Sequence, residues 1–327
     1  MMIKRVFLVF AFCLAYLSGV FAQSPQNDPL KNAVVTLFKN SGEVVFNKDS
    51  ADYVRIIRPD TSAQFLYLVN EFYMDGKTKM VGTSLMPSSG LKRQGPFIEY
   101  FHNGHRKSII NYENGEQTGD FAYYYPNGKI YYTGTYDKDK KQAVISEARD
   151  TSGAVTAQNG SGKWITYDDD FKHITGEGPI VNGLKEGEWR GTTTDSIQYV
   201  CTYAKGESVS GVSHDKSGAE YHFTKDWVVP EFKGGEKALW EFLQTNLHYP
   251  ALARENNVQG KVWLSFVIKK NGDISKIKIL NGIGSGCDDE ALRFMRLSPP
   301  WTPGIRYGVP VSDTYVMPIS FVLQNDN

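Results

Sequence analysis

Two stretches of the chain repeat one another: GPFIEYFHNGHRKS (95–108) and GDFAYYYPNGKIYY (119–132) superpose with a shift of 24 positions. The shared positions include two Asn-Gly pairs, at 103–104 and 127–128. Asn-Gly supplies the positive φ angles of a type I′ turn, and its flanks here are aromatic or β-branched, as in β-strands. Each unit is therefore predicted to be a β-hairpin, which buries its aromatic face only by stacking on the next unit.

Looser copies of the pattern extend the repeat in both directions. They include FYMDGKTKMVG (72–82), NGLKEGEW (182–189) and GKWITY (162–167). Aromatic residues make up 13% of the chain, and eight of its 19 tyrosines fall within 95–136, which favours many short strands joined by tight turns. We predict an all-β stacked-hairpin repeat domain over 71–224, preceded by a strand-rich N-terminal segment at 23–70.

The periodicity changes after Thr224-Lys225-Asp226, a short hydrophilic join. The predicted elements are a helix at 236–247, strands at 261–270 and 274–280, a helix at 288–297 and a strand at 314–323. This order, α-β-β-α-β, predicts a small α+β domain over 226–327 that is separate from the repeat sheet.

Overall charge gives no support for nucleic-acid binding. The 327 residues contain 36 Lys+Arg and 36 Asp+Glu, so the chain lacks the basic footprint of non-specific binding. The apolar share of 41% is enough to form buried cores, which excludes a disordered chain. We expect no nucleic-acid partner.

Residues 1–22 have the pattern of an export signal. Lys4 and Arg5 precede a largely apolar run from Val6 to Ala22, and Val20-Phe21-Ala22 before Gln23 fits the small-residue rule for signal cleavage. Its length is also at the lower limit for a membrane-spanning helix. Two readings stay open: a cleaved signal peptide that releases the protein into the periplasm, or a signal anchor that tethers it to the inner membrane.

No group of residues predicts catalysis. The sequence has no Ser/His/Asp order, paired carboxylates or Cys/His pair in a context that indicates a pocket, and no metal-ligand spacing. The chain is predicted not to be an enzyme and to need neither cofactor nor metal.

The C-terminal residues resemble the C-terminal domain of TonB energy transducers. The resemblance rests on VPEFKGGEKAL (229–239), YPALARENNVQGKVWLSFVIKKNGDIS (249–275), PPWTPG (299–304) and MPISF (317–321), in that order. It implies a periplasmic domain that binds the TonB-box peptide of an outer-membrane receptor, with inner-membrane proton-motor proteins as further partners if residues 1–22 are retained. The hairpin region resembles MORN-type (antitoxin-like) repeats.

The final strand is the candidate binding site. Pro318 interrupts it, and because proline cannot donate to a β-ladder, this strand is expected at a sheet edge. A free edge binds an extended peptide by strand addition; alternatively, Pro318 only protects the edge from aggregation. The resemblance places the TonB-box contact on this strand, at Tyr315, Val316, Met317, Ile319, Ser320 and Phe321.

Two functions follow from this sequence. The first is a TonB-like periplasmic protein that binds TonB-dependent receptors and takes part in energy-coupled transport. The alternative is an exported, non-catalytic interaction protein whose repeat sheet and TonB-like domain dock in the envelope without energy transduction. The uncertain anchor and the lack of a long proline-rich linker keep the alternative open.

Overall fold

A computed structural model describes residues 32–62, 65–88 and 90–323 of the chain. The predicted signal at 1–22 lies outside the described residues. The described chain forms two compact units, one up to Ser161 and one from Gly162 onward. The predicted domain boundaries near 70 and 225 do not coincide with this division, which follows the density of contacts, and they stay predictions.

The first unit is an antiparallel β-meander with a short 3₁₀ helix at Lys48–Ser50. Strand β1 pairs with β2 and β3, and from β3 to β11 each strand pairs with the next along the chain. The strands are β1 Val34–Phe38, β2 Val44–Val45, β3 Tyr53–Pro59, β4 Tyr67–Tyr73, β5 Thr78–Ser84, β6 Arg93–Tyr100, β7 Arg106–Glu113, β8 Glu116–Tyr124, β9 Ile130–Asp137, β10 Gln142–Arg149 and β11 Val155–Gln158.

The hairpin turns are of two kinds, although the sequence predicts only type I′ turns. At Asn114-Gly115 both φ angles are positive (55° and 95°), as a type I′ turn requires. At 103–104 only Gly104 has a positive φ, and Phe101 N–H bonds to the His105 carbonyl across a longer loop. The prediction of a type I′ turn is wrong there, because the Asn103 side chain accepts the His105 N–H and caps a wider turn without itself turning left-handed.

Hydrogen bonds between successive turns confirm the repeat spacing. Asn103 Nδ2 donates to the Pro126 carbonyl at 2.8 Å, and the equivalent Asn127 donates to Thr151 at 3.1 Å. Each turn is thus hydrogen-bonded to the next one, so residues that match under the 24-residue shift lie in adjacent stacked turns.

Glycine on neighbouring strands makes room for the repeated aromatic rings. A Cβ atom at Gly82 would lie 2.7 Å from the Phe97 ring, and one at Gly178 would lie 2.4 Å from the Trp189 ring. Phe97 and Trp189 are both fully buried as a result. Ring-on-backbone packing therefore accounts for some of the glycines, while many others adopt the positive φ angles of turns.

The second unit contains the remaining hairpins and the C-terminal elements. Its strands are β12 Ser161–Tyr167, β13 Ile174–Val181, β14 Leu184–Lys185, β15 Gly187–Thr192, β16 Gln198–Ala204, β17 Glu207–His214, β18 Glu220–Phe223, β19 Trp227–Val228, β20 Gly260–Ile268, β21 Ile274–Asn281, β22 Gly304–Arg306, β23 Val309–Val311 and β24 Asp313–Phe321; its helices are α1 Gly235–Asn246, α2 Ala251–Glu255 and α3 Cys287–Arg296.

These elements form one meander and two small sheets. The meander pairs β12, β13, β15, β16, β17 and β18 in order, with β14 beside β13. One three-stranded sheet has the order β19-β22-β23, and the other has the order β21-β20-β24. The C-terminal series is longer than the predicted α-β-β-α-β, because it also contains β19, α2 and the β22–β23 hairpin.

The helices pack on one face of the β21-β20-β24 sheet. Val262, Leu264 and Phe266 of β20 are fully buried against Phe294 of α3 and the rest of this core. Trp301 closes one end of the core, and its backbone N–H donates to the carbonyl of Gly272 in the β20–β21 turn. One face of the sheet is thus covered and the other is left to solvent.

The β22–β23 hairpin packs against the last repeat hairpins, although the sequence predicts a separate domain. The Tyr307 ring stacks on Tyr199 with centroids 3.8 Å apart, and its carbonyl accepts the Ser213 hydroxyl at 2.6 Å. Val309 and Val311 are buried with Ile197 in a shared apolar cluster. The last repeats and the C-terminal elements therefore share a packed core.

Candidate peptide-binding edge

Strand β24, which holds all six predicted site residues, lies at the end of its sheet. It pairs with β20 alone, in an unbroken antiparallel register from Gly260 opposite Phe321 to Ile268 opposite Asp313. The predicted edge position is therefore present. The predicted interruption is not, because Pro318 sits within the ladder opposite Trp263.

Pro318 fixes which backbone groups face outward. Because proline has no N–H, a ladder that continues through it places its nitrogen on the side away from the partner strand. Backbone direction alternates along a strand, so the N–H groups of Val316 and Ser320 also point away from β20. The Thr314 N–H fits the same alternation, because it donates to the Asp313 carboxylate oxygen Oδ1 at 2.8 Å and not to β20.

The side chains of the six residues divide between two faces of the sheet. Met317, Ile319 and Phe321 are buried in the core, at 8%, 1% and 1% exposure, and Tyr315 is half-buried against Trp301. The backbone N–H groups of these four face β20, and their side chains lie in or against the core, so they do not line the outer edge.

Val316 and Ser320 are the predicted site residues whose side chains face solvent. Val316 is 46% exposed, and Ser320 is also exposed on the same face. Pro318 lies between them and is exposed as well. A strand added beside β24 would place alternate side chains along this row.

Trp263 extends the exposed row onto β20, and the sequence reasoning did not select it. It stands opposite Pro318 and is 39% exposed, so an aromatic ring borders the middle of the edge strand. Lys261 and Ser265 flank it on the same face, opposite Ser320 and Val316. The alternation of KVWLSFV already places Trp263 on the face opposite the buried Val262 and Leu264, and that signal was available in the sequence.

Hydrogen bonds join α1 and α3, two of the helices that cover one face of the sheet. Glu290 in α3 accepts the His248 N–H at 2.6 Å and pairs with Arg293, whose guanidinium also donates to the Asn246 carbonyl. The Arg293 hydrogen bond lowers the pKa of the Glu290 carboxyl below its ordinary value. The charged pair therefore links the first turn of α3 to the end of α1.

The described residues contain no group of three or more His, Cys, Asp or Glu side chains that could hold a metal ion. In the same part of the chain, none of the helices has the length and apolar character needed to cross a bilayer.

Comparison with known proteins supports the C-terminal resemblance. Residues 245–323 match the family described as Gram-negative bacterial TonB protein C-terminal, and the matched range includes the whole of β20, β21, α3 and β24. No curated protein matches the chain. The MORN-type resemblance of 71–224 has no such family match and stays a prediction, while the stack of hairpins itself is present.

Proposed function

We propose that this protein is a TonB-like component of the periplasm that binds TonB-dependent outer-membrane receptors and takes part in energy-coupled transport. It acts by binding and not by catalysis. The receptor's TonB-box peptide adds as a strand to the outer edge of β24. Inner-membrane proton-motor proteins supply the force if residues 1–22 are retained as an anchor.

The observation that carries this proposal is the free edge of β24 within the family-matched region. The edge offers the outward carbonyls of Val316, Pro318 and Ser320 and the outward N–H groups of Val316 and Ser320. Strand addition uses this pattern, since main-chain bonds give affinity and alternate side chains give specificity. The exposed side chains of Val316 and Trp263 offer apolar contact to the side chains of the added strand.

A pair of backbone-modified peptides tests this binding mode. A labelled TonB-box peptide is titrated with the full chain, and affinity is read by fluorescence anisotropy. Two further peptides carry N-methyl groups on alternate residues, in one phase or in the other. An added strand directs only one set of its amides toward β24, so one methylated peptide should lose binding and the other should keep it.

The two peptides control for each other because they have the same composition and number of methyl groups. Equal affinity of both for the chain would reject strand addition as the binding mode. Each N–H bond lost to β24 is worth about 1 kcal/mol, so the blocked peptide should bind weaker by tenfold or more.

The alternative function, docking without energy transduction, has one observation in its favour. Only Thr224–Asp226 separates β18 from β19, and Tyr307 then packs on the last repeats. This leaves little free chain between repeats and C-terminal elements to extend toward a receptor. Measuring receptor-dependent uptake in cells that lack the protein distinguishes the two functions. If the protein binds the peptide but uptake is undiminished without it, docking without energy transduction is favoured.

A further inference from the structure

The sheet that contains the candidate edge is basic. Its strands β20, β21 and β24 carry three lysines, Lys261, Lys276 and Lys278, and a single carboxylate, Asp313. All three lysines are exposed. Positive charge therefore prevails on the strands beside which the receptor peptide is proposed to add.

Lys261 is the lysine of this sheet that lies nearest to the free edge. It stands in β20 directly opposite Ser320 of β24, and both residues are exposed on the face that the helices leave uncovered. Lys276 and Lys278 lie one strand farther from the edge, on β21. Lys261 forms no ion pair or side-chain hydrogen bond with any of the described residues, so its ammonium is available to a partner.

The short side chain of Ser320 leaves room for that ammonium to reach past β24. Neighbouring strands lie about 4.8 Å apart, so a strand added to the edge lies about 10 Å from β20. A lysine and a glutamate that extend toward each other over a serine span this distance. The other outward residues of β24 have uncharged partners: Val316 stands opposite Ser265, and Pro318 opposite Trp263.

The opposite end of the edge has no comparable excess of positive charge. Asp313 begins β24 there, opposite Ile268, and Lys269, Lys270 and Asp273 lie in the adjoining β20–β21 turn. Two ammonium groups thus face two carboxylates. An acidic residue of an added strand is therefore attracted to the Ser320 end of the edge, and complementary charge of this kind fixes register more than it raises affinity.

We propose that the segment that adds to β24 carries a carboxylate side chain beside Ser320, where Lys261 pairs with it across the edge strand. The inference rests on the proposed function, because it requires strand addition at the outer edge of β24. It gives Lys261 the role of setting the register of the peptide, and it makes the partner an acidic peptide.

Two matched series of peptides test this pairing. In the labelled TonB-box peptide, one residue at a time is replaced by glutamate, and a second series carries glutamine at the same positions. The two side chains have nearly the same shape, so the ratio of their affinities for the full chain isolates the charge. Fluorescence anisotropy is read at low ionic strength, where exposed charges are least screened.

The glutamate peptide should bind about threefold more tightly than the glutamine peptide at the one position that lies beside Ser320. An exposed ion pair is worth up to about fivefold in affinity, which sets this scale. At the other positions the ratio should stay near one. Raising the ionic strength should reduce the threefold ratio, because the pair is exposed to solvent.

Substitutions in the chain locate the cation. Lys261→Met keeps most of the aliphatic stem and removes the ammonium, so the ratio at the selected position should fall to about one. Lys261→Gln, which keeps a polar end, is a second variant and should behave in the same way. Lys237→Met is the control, because Lys237 is 89% exposed on α1 and its contact with Glu241 is long, at 3.9 Å; this variant should keep the threefold ratio.

Equal affinity of the glutamate and glutamine peptides at every position would overturn the proposal and leave strand addition intact. A ratio that persists in both Lys261 variants would overturn it as well, since another cation would then be responsible. If the two N-methylated peptides bind equally, strand addition itself is rejected, and this pairing is rejected with it.

Discussion

Replacing Val316 with proline removes one outward N–H from β24 without touching the ladder to β20. Proline is tolerated where the N–H faces away from the sheet, and Pro318 already occupies such a position two residues along. The side chain at 316 faces solvent, so no core contact is lost. The unfolding free energy should therefore change by less than about 1 kcal/mol.

The effect on peptide binding should be larger than the effect on stability. Only Val316 and Ser320 donate outward along the central part of the edge, and a net hydrogen bond is worth about 1 kcal/mol. Losing one of the two bonds lowers affinity for a TonB-box peptide about fivefold. Val316→Thr, which keeps the N–H and the β-branched shape, should bind within about twofold of the wild type.

The assay compares fluorescence anisotropy titrations of the two variants with their chemical denaturation curves. Equal affinity of Val316→Pro and Val316→Thr would refute strand addition at this edge. A large loss of stability in Val316→Pro would refute the assigned alternation of inward and outward backbone groups, because it would mean that the Val316 N–H bonds to β20.

Three further predictions test the fold around this edge. Met317→Lys places a charge in the core and should cost about 4 kcal/mol or more in denaturation, while Val316→Lys should cost less than about 0.5 kcal/mol. Gly272→Ala should lower the unfolding free energy by at least about 2 kcal/mol, because φ is +89° and the added Cβ would lie 2.2 Å from a backbone carbonyl oxygen. Gly284→Ala, at φ +73° with open space around it, should lower it by less. An equal loss of stability in the two variants would contradict this reasoning. Glu290 has a lowered pKa, so its stabilising effect is full above its ordinary pKa near 4.5 and is lost as pH falls through the lower folded value. The stability difference between wild type and Glu290→Gln should shrink below about pH 4.5, and a constant difference from neutral to acid pH would contradict this reasoning.

The hairpin repeats could be predicted because their signals are local. An Asn-Gly pair between aromatic strands indicates a turn whatever surrounds it, and the 24-residue shift reappears as bonds between successive turns. The kind of turn could not be predicted for Asn103, because loop length and side-chain capping decide whether asparagine becomes left-handed. Hairpin 304–311 was missed because its two strands have three residues each and one contains Pro310.

The candidate edge was predicted in part. Pro318 correctly indicated an edge strand, yet the residues carried over from the family resemblance mix two faces. Alternation alone separates Val316 and Ser320 from Met317 and Ile319, and burial decides which pair a partner can reach. The packing of hairpin 304–311 on the last repeats could not be predicted, because Tyr307 and Tyr199 are distant in sequence and no local pattern pairs them.

Amide hydrogen exchange at β24, measured by NMR with and without a TonB-box peptide, tests whether the peptide adds as a strand to this edge. We predict that the Val316 and Ser320 amides exchange rapidly in the free protein and are protected when peptide is bound. The Met317 and Ile319 amides, which face β20, should be protected in both states. Unchanged exchange at Val316 and Ser320 under saturating peptide would contradict the claim that this edge is the receptor-binding site.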